Sequence, residues 1–369
     1  MSYTRTFGEA SGRNGKKRIN TLVMKINARE PEIVKIRIAA RTIRKGGTVA
    51  FPTETVYGLG ADALNEEAVK RIYVAKKRPP DNPMIIHVAN KEEVYKLARN
   101  VPKAAEKLMD RFWPGPLTLI LRRSKVVPDI TVAGLDTVAI RMPDNEVALA
   151  LISESKTSIA APSANLAGKP SPTTAAHVIE DLAGRIDIIL DAGATRIGVE
   201  STVIDMTLDP PQILRPGGVP YEELKRVLGK VTLHPTVLTT KIKHLIRVRS
   251  PGMKHKHYAP NATVIVVEGN FGAVMKRVQG LADLHMKKGK KVGIMATDES
   301  KSEYHADAIK SLGSRKNLTT AAKRLYGLLR EFDAEGVDII ISEGLATKGL
   351  GLAIANRLRR ASGSNVVKA

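Results

Sequence analysis

A loop rich in polar side chains is the first part of this sequence that could do chemistry. Residues 52–60 read PTETVYGLG, which places hydroxyls, a carboxylate and an aromatic ring between a short apolar strand and two glycines. Further on, Lys76 and Arg78 offer two cations at a predicted helix end, Asn82 adds an amide, and His87 lies in the next apolar strand. Cations of these types bind phosphates. The pattern predicts a site for a small polar acid and phosphates.

Each of these residues also has an ordinary structural explanation. Lys76 and Arg78 on a solvated helix face would need no ligand. His87 inside an apolar strand could be a core histidine with its hydrogen bonds satisfied. The functional interpretation therefore depends on whether other polar groups converge on the same place.

A predicted strand over residues 138–142 supplies a further cation. Thr137 and Arg141 lie four residues apart along it, so strand alternation puts both on one face. An inward Arg141 needs an anion close by. The sequence leaves two alternatives open, a bound ligand and a structural salt bridge.

Hydroxyls and amides also gather where predicted strands end. Ser163, Asn165 and Ser171 follow a short strand and precede a predicted helix, where side chains and backbone N–H groups suit phosphate binding. Ser201 precedes another strand and Arg215 ends the next one. Ordinary capping and loop chemistry explains Ser and Asn at such positions equally well.

Several common kinds of chemistry are excluded or unsupported. The chain has no cysteine, which excludes disulfides, thiolate zinc sites and cysteine nucleophiles. His255 and His257 invite a metal hypothesis, but no third ligand has suitable spacing and the lysines around them would repel a cation. No Walker A, GxSxG or HExxH motif occurs. We therefore predict no metal site made by the protein.

Length and charge indicate two domains and a polyanionic partner. At 369 residues with 43% hydrophobic content, the chain has enough apolar surface for two cores. The formal net charge is +22, yet residues 26–222 hold 26 basic and 24 acidic residues, whereas residues 223–261 hold nine and one. Such an excess favours polyanions, although a solvated lysine-rich surface explains it too. No apolar run of about 18 residues is present, so no membrane span is expected.

The elements that must position these side chains fall into four segments. We predict a flexible basic tail over 1–25, a mixed α/β domain that holds the motifs over 26–222, a linker that could close over the site as a lid over 223–261, and a Rossmann-like parallel α/β domain over 262–369. In the first domain, helices are predicted at 33–45, 66–78, 145–154 and 173–183, and strands at 48–51, 84–88, 117–122, 138–142, 158–161, 187–190, 202–207 and 211–214. In the second, strands are predicted at 263–268, 291–296 and 337–342, and helices at 271–287, 318–335 and 350–361.

Nine motifs in order resemble one family. They are PTETVYGLG, KxR with the following Asn82, PxIxH ending at His87, WPGPLT, AxRxP around Arg141, APSAN, ESTV, LRPG and SPGMKHKHYAP. From about residue 30 to the C-terminus the chain is similar to the threonylcarbamoyl-AMP synthases of the two-domain type. The resemblance implies a YrdC-like twisted mixed sheet with helices, joined by a long linker to the smaller Rossmann-like domain.

The resemblance also implies an activity. The enzymes of this family condense L-threonine, bicarbonate and ATP to L-threonylcarbamoyl-AMP and release pyrophosphate. By motif position, the threonine-binding residues would be Thr55, His87, Arg141 and Ser201. The nucleotide-binding residues would be Lys76, Arg78, Asn82, Thr137, Ser163, Asn165, Ser171 and Arg215, of which Lys76, Arg78 and Arg215 would neutralise the reacting phosphates.

Further expectations follow from the same resemblance. His255 and Tyr258 would form the tip of the lid, although many relatives carry a tyrosine at the position of His255. Mg²⁺ would come with ATP, a threonylcarbamoyl transferase complex would take the product in the cytoplasm, and tRNA is a candidate direct ligand. Two alternatives stay open: an RNA-binding factor without enzymatic activity, and carbamoyl transfer from carbamoyl phosphate.

Overall fold

Two sheets, one large and one small, organise the protein in a computed structural model. The structure describes residues 4–7, 19–238, 258–363 and 365–369. The larger sheet has 13 strands in the order β1-β2-β10-β3-β4-β9-β5-β8-β7-β11-β12-β13, with β6 paired to β7. Its strands are β1 (Thr4–Phe7), β2 (Thr21–Lys25), β3 (Val49–Phe51), β4 (Gly58–Asp62), β5 (Ile85–His87), β6 (Ala98–Arg99), β7 (Leu117–Arg123), β8 (Thr137–Arg141), β9 (Ile159–Ala160), β10 (Ile188–Asp191), β11 (Thr202–Asp205), β12 (Gln212–Arg215) and β13 (Thr232–Leu233).

Helices cover this mixed sheet and enclose its core. They are α1 (Ile33–Arg44), α2 (Glu66–Lys76), α3 (Val94–Leu97), α4 (Lys103–Phe112), α5 (Glu146–Ser155), α6 (Ala175–Leu182), α7 (Tyr221–Leu228) and α8 (Pro235–Leu238). Helix α2 shows why these segments fold locally. The Asn65 side chain caps its first turn by accepting from the Ala68 N–H, and Lys77 ends it in the left-handed conformation. The predicted mixed α/β sheet is confirmed.

The smaller sheet is entirely parallel, as the alternation of strands and helices predicted. Its order is β16-β15-β17-β14-β18, which differs from the 3-2-1-4-5-6 order of dinucleotide-binding folds. The elements are β14 (Thr263–Glu268), α9 (Phe271–Met286), β15 (Val292–Ala296), β16 (Ala308–Ser311), α10 (Leu318–Ala334), β17 (Ile339–Glu343), α11 (Leu350–Ala361) and β18 (Val366–Lys368).

Two predicted segment boundaries need correction. The flexible tail predicted over 1–25 is wrong at its described residues, because 4–7 form β1 and 21–25 form β2. Strand β2 pairs in parallel with β10, which is far away in sequence, so no local pattern could show it. The linker predicted over 223–261 is wrong up to residue 238, because α7, β13 and α8 continue the first domain. The linker residues 239–257 lie outside the described part of the chain.

One apolar cluster joins the two domains. It includes Val56 and Val199 from the first domain, together with Leu325, Phe332 and Ile354 from the second. All five side chains are buried, so neither domain covers this surface alone. Among the described residues, no helix combines the length and the apolar character needed to cross a membrane.

Candidate active site

Most of the predicted site residues line a single cavity beside the large sheet. They belong to the loop between β3 and β4, the end of α2, strands β5, β8 and β12, and the loops before α6 and β11. The predicted residues that line it are Thr55, Lys76, Arg78, His87, Arg141, Ser163, Asn165, Ser201, Arg215 and Tyr258. Residues far apart in sequence therefore converge, which the solvated-face and core-histidine explanations do not require.

The polar loop between β3 and β4 keeps its shape through its own hydroxyls. Thr53 Oγ1 lies 2.8 Å from Thr55 Oγ1 and donates to the Val56 carbonyl at 2.7 Å. Gly60 in β4 is required by close packing, because a Cβ there would come within 2.7 Å of the Phe51 ring. The loop thus presents Thr55 at a fixed place on the cavity wall.

Arg141, which lines the cavity, forms a buried ion pair with Glu54. Arg141 Nη2 lies 2.5 Å from Glu54 Oε2, and the two side chains are 5% and 1% exposed. Arg141 Nε also donates to the Gly115 carbonyl at 3.3 Å. The guanidinium is therefore held in one orientation. The structural salt bridge is therefore present, and because Arg141 also lines the cavity, its contact with a ligand stays a prediction.

His87 is next to Arg141, because the two residues are register partners on the parallel strands β5 and β8. Burial, together with the charge of Arg141, lowers the pKa of His87 to about 3. Its imidazole is consequently neutral near pH 7 and has one ring nitrogen able to donate and one able to accept. Nδ1 has no hydrogen-bond partner among the described residues. A neutral, incompletely bonded imidazole suits a polar uncharged group such as a hydroxyl.

Ser201 lies between Thr118 and Arg215 and contacts both side chains. Its hydroxyl lies 2.7 Å from Thr118 Oγ1 and accepts from Arg215 Nη2 at 3.1 Å. The Ser201 carbonyl accepts from both Nε and Nη2 of the same arginine. Arg215 is thus oriented by backbone and hydroxyl oxygens, and these neutral partners do not cancel its charge.

Lys76 and Arg78 place two more buried cations on the cavity. Lys76 Nζ donates to the Ser163 and Asn165 carbonyls. Arg78 donates to the Asn82 carbonyl at 3.2 Å and to the Pro83 carbonyl at 2.9 Å. Burial lowers the pKa of Arg78 to about 10, and burial followed by the nearby Arg78 lowers the pKa of Lys76 well below its usual value. A bound polyanion would relieve both penalties.

Asn165 has a structural role in addition to its place on the cavity wall. Its Oδ1 accepts from Ser163 Oγ at 2.6 Å, and its Nδ2 donates to the Leu166 and Lys169 carbonyls. The amide therefore fixes the loop that carries both acceptors of Lys76. A nucleotide contact through the Asn165 side chain would have to share these bonds.

Three predicted nucleotide-binding residues are buried close by but do not line the cavity. Asn82 has a buried Oδ1 with no hydrogen-bond partner in the part of the chain that the structure describes. Thr137 begins β8, four residues before Arg141. Ser171 donates to Glu200 Oε1 at 2.6 Å. Their roles stay predictions, and the predicted lid residue His255 lies outside the described residues.

The sequence did not identify the groups that surround Glu200, a carboxylate on the cavity wall. Tyr326 of α10 donates to Glu200 at 2.9 Å, and Arg357 Nε of α11 lies 2.7 Å from Glu200 Oε2. Burial alone would raise the pKa of Glu200, but Arg357, Arg215 and the Ser171 hydrogen bond lower it to about 2. The second domain therefore contributes directly to the surroundings of the cavity, and no local motif predicts this.

Comparisons with known proteins give this site a family. A family model described as telomere recombination matches residues 41–217, and one described as the C-terminal domain of threonylcarbamoyl-AMP synthase matches residues 219–363. The threonylcarbamoyl-AMP synthase of Pyrococcus abyssi is 54% identical over 344 residues, which are 93% of this chain and 98% of the relative. This chain belongs to the threonylcarbamoyl-AMP synthase family.

Other members of the threonylcarbamoyl-AMP synthase family agree over the same length. The Bacillus subtilis synthase is 48% identical over 93% of this chain and 96% of its own. A crystal structure of P. abyssi Sua5 complexed with L-threonine superposes with a TM-score of 0.89 at 52% identity, covering 94% of this chain and 99% of that chain. The two-domain architecture is therefore shared with solved members of the family, and the predicted resemblance is confirmed.

Proposed function

We propose that this protein is an L-threonylcarbamoyladenylate synthase that condenses L-threonine, bicarbonate and ATP and releases pyrophosphate. The observation that carries the proposal is the convergence in one cavity of two sets of groups. Arg141, His87 and Ser201 suit a small hydroxy amino acid, whereas Lys76 and Arg215 suit phosphates. The family relationship supports the same activity.

Arg141 would bind the carboxylate of threonine. Glu54 and the Gly115 carbonyl already fix its guanidinium, so little side-chain freedom is lost when the substrate binds. The neutral His87 and the hydroxyl of Thr55 are then available for the amino acid's polar groups. A site that hydrogen-bonds a substrate hydroxyl strongly rejects analogues without it, which would separate threonine from valine.

The reaction needs no nucleophile from the protein. The threonine amine adds to the carbon of bicarbonate, and water leaves to give the carbamate. A carbamate oxygen then attacks the α-phosphorus of ATP, and the bond to the bridging oxygen of pyrophosphate breaks. Positioning and charge stabilisation suffice for such a displacement. Lys76, Arg78 and Arg215 would stabilise the negative charge that builds up on the phosphates.

Mg²⁺ enters the proposal as part of the nucleotide substrate. Among the described residues, no group of three or more His, Asp or Glu side chains is placed to hold a metal ion. Glu200 on the cavity wall and Glu54, the partner of Arg141, are already paired with arginines. The phosphates of ATP would therefore hold the ion, and its charge would assist the cations of the protein.

Tyr258 would help to retain the reactive intermediates. It lines the cavity and is 5% exposed, with its ring packed against Tyr326 at a centroid distance of 5.4 Å. Because the carbamate and the mixed anhydride both react with water, an aromatic wall would protect them. We further propose that the product passes in the cytoplasm to a threonylcarbamoyl transferase complex, for modification of tRNA beside the anticodon.

The decisive experiment measures pyrophosphate and the adenylate together. Purified protein is incubated with ATP, Mg²⁺, threonine and bicarbonate, each substrate is omitted in turn, and the product is identified by mass spectrometry. Pyrophosphate release that requires all three substrates, with threonylcarbamoyl-AMP present, is the expected result. Pyrophosphate release that does not require threonine would contradict the proposal. Salt-sensitive tRNA binding without ATP turnover would favour the RNA-binding alternative, and a requirement for carbamoyl phosphate would favour the carbamoyl-transfer alternative.

A further inference from the structure

A carboxylate at the cavity is neutralised by an arginine from the other domain. Arg357 Nε lies 2.7 Å from Glu200 Oε2, and the two side chains are 0% and 8% exposed. Glu200 lines the cavity of the first domain, whereas Arg357 belongs to α11 of the second. A buried carboxylate without a counter-ion is costly, so this contact matters for the folded state.

Two arginines act on Glu200, but only one of them is bonded to it. The charges of both Arg357 and Arg215 lower the pKa of Glu200. Arg215, however, makes its hydrogen bonds within the described residues to the carbonyl and hydroxyl of Ser201. The two arginines are therefore divided between two tasks, with Arg357 on the carboxylate and Arg215 on the side where the nucleotide is proposed to bind.

We propose that Arg357 is a positioning residue of the active site: by pairing with Glu200, it keeps Arg215 available for the phosphates of ATP. This inference rests on the proposed function for the identity of the nucleotide. Without Arg357, the side chain of Glu200 would retain, among the described residues, only the hydroxyl donors Ser171 and Tyr326. Its charge would then attract Arg215 and compete with the phosphates for that guanidinium.

The same arginine also supports the aromatic wall of the cavity. The guanidinium carbon of Arg357 lies 5.4 Å from the centroid of the Tyr258 ring, within the range of a cation–π interaction. Tyr258 in turn packs on Tyr326, the residue of α10 that donates a hydrogen bond to Glu200. The second domain thus fixes a carboxylate and an aromatic ring of the site through one connected set of contacts.

The test compares R357Q with R330Q. Arg330 is a matched control, since it is also a buried arginine of the second domain that crosses the interface, where it pairs with Asp181. We expect R357Q to raise the KM for ATP by about 10- to 100-fold, as for residues coupled by direct contact. The KM for threonine should change much less, and R330Q should retain both constants. An equal rise in the KM for ATP of R330Q would show that Arg357 is only a general interface contact, and would overturn the proposal.

A rescue experiment separates the electrostatic role from a packing role. If Arg357 acts by neutralising Glu200, then the E200Q/R357Q protein should recover most of the ATP affinity that R357Q loses. A merely structural arginine would give a double variant at least as defective as R357Q, which would contradict the proposal. R357K keeps the charge but loses the fixed geometry of the guanidinium, so its KM for ATP should rise less than that of R357Q. Melting temperatures of all variants show which comparisons are between equally folded proteins. If R357Q does not fold, R357K replaces it in the comparison with R330Q.

ATP binding without turnover separates this inference from the proposed function. Calorimetric titration of each variant with ATP, without threonine or bicarbonate, measures the nucleotide site alone. If the wild type bound ATP but made no adenylate, the proposed function would fail, while the comparison of R357Q with E200Q/R357Q would still decide the role of Arg357. If the wild type did not bind ATP, both would fail.

Discussion

The ion pair between Arg141 and Glu54 shows how one residue can serve both the fold and the site. Glu54 engages Nη2 and the Gly115 carbonyl engages Nε, while Nη1 has no hydrogen bond within the described residues. A carboxylate substrate would add the missing acceptor to a guanidinium that is already oriented. The sequence alone left the salt bridge and the ligand as alternatives. The structure contains the salt bridge, and the proposed ligand contact is compatible with it.

We predict that Arg141→Ala raises the KM for threonine by about 30-fold or more, in line with the loss of one partner of a buried charge pair. The KM for ATP should change little, because Lys76, Arg78 and Arg215 keep their own partners. Steady-state pyrophosphate release with each substrate varied in turn measures both constants. Arg122→Ala is a control on the neighbouring strand, where the arginine is exposed and pairs with Asp136.

A second variant separates binding from stability in this test. Arg141→Ala leaves Glu54 buried without its counter-ion, which lowers the free energy of unfolding. Adding Glu54→Gln should restore stability in a thermal melt without restoring threonine affinity. Threonine affinity equal to that of the wild type in either protein would show that Arg141 does not bind the substrate.

Lys76 leads to a prediction about protons. Burial and the charge of Arg78 lower its pKa in the free protein, and bound phosphates would raise it again. Above the pKa of the free protein, ATP binding should therefore take up a proton, and ATP affinity should fall as the pH rises towards the pKa of the complex. Titration calorimetry in two buffers of different ionisation enthalpy measures the uptake, and Lys76→Met should abolish it. Heats that do not depend on the buffer would contradict this prediction.

At the scale of elements, periodicity predicted helices better than short strands. Helix α1 was predicted at 33–45 because Ile36, Ala39, Ala40 and Ile43 recur at helical spacing, and all four are buried. Helix α4 was missed although Ala105, Leu108 and Met109 follow the same rule. Strand β4 could not be found this way, since Gly-Leu-Gly-Ala-Asp has neither β-branched residues nor alternation.

Gly198 supplies a prediction about how α10 meets the first domain. Its φ is +86°, and a Cβ there would come within 2.4 Å of the Lys323 backbone in α10. We expect Gly198→Ala to displace this helix, which carries Tyr326, and to lower both the melting temperature and the ATP affinity. Gly193→Ala is the matched control, because φ is +81° but no described residue lies within 4 Å of a Cβ placed there. Its free energy of unfolding should fall only by the penalty of a left-handed alanine, about 1–2 kcal/mol. Equal effects of the two variants would show that the contact with α10 is unimportant.

For the whole molecule, the sequence indicated one half of the site and missed the other. The cations and hydroxyls of the first domain stand in ordered motifs beside predicted strands, so they could be found. Glu200 and Arg357 are separated by 157 positions and meet only through the docking of two domains. Glu200 stands in the ESTV motif, but nothing in that motif indicates its partner, and no local pattern distinguishes Arg357 from a surface charge. The predicted lid residue His255 lies outside the described residues, whereas Tyr258 lines the cavity.

The interface between the domains is both apolar and charged. Val56 and Val199 pack into a cluster with side chains of the second domain, and each buried valine contributes about 1.5–3 kcal/mol relative to exposure. Arg330 adds a buried ion pair with Asp181 across the same boundary. These contacts join parts of the chain on either side of residues 239–257, so the covalent link through that segment is not the only connection between the domains.

We therefore predict that the two domains stay together when the chain is cut between them. A protease site is introduced between residues 239 and 257, and the cleaved protein is analysed by size-exclusion chromatography. The two fragments should elute together even at about 1 M salt, where charge interactions are screened within about 3 Å but apolar contacts persist. Val199→Asp should separate the cleaved fragments, because it buries a charge in the shared cluster without changing the cut. Separation of the unmutated fragments at low salt would mean that the linker, and not the interface, holds Arg357 against Glu200.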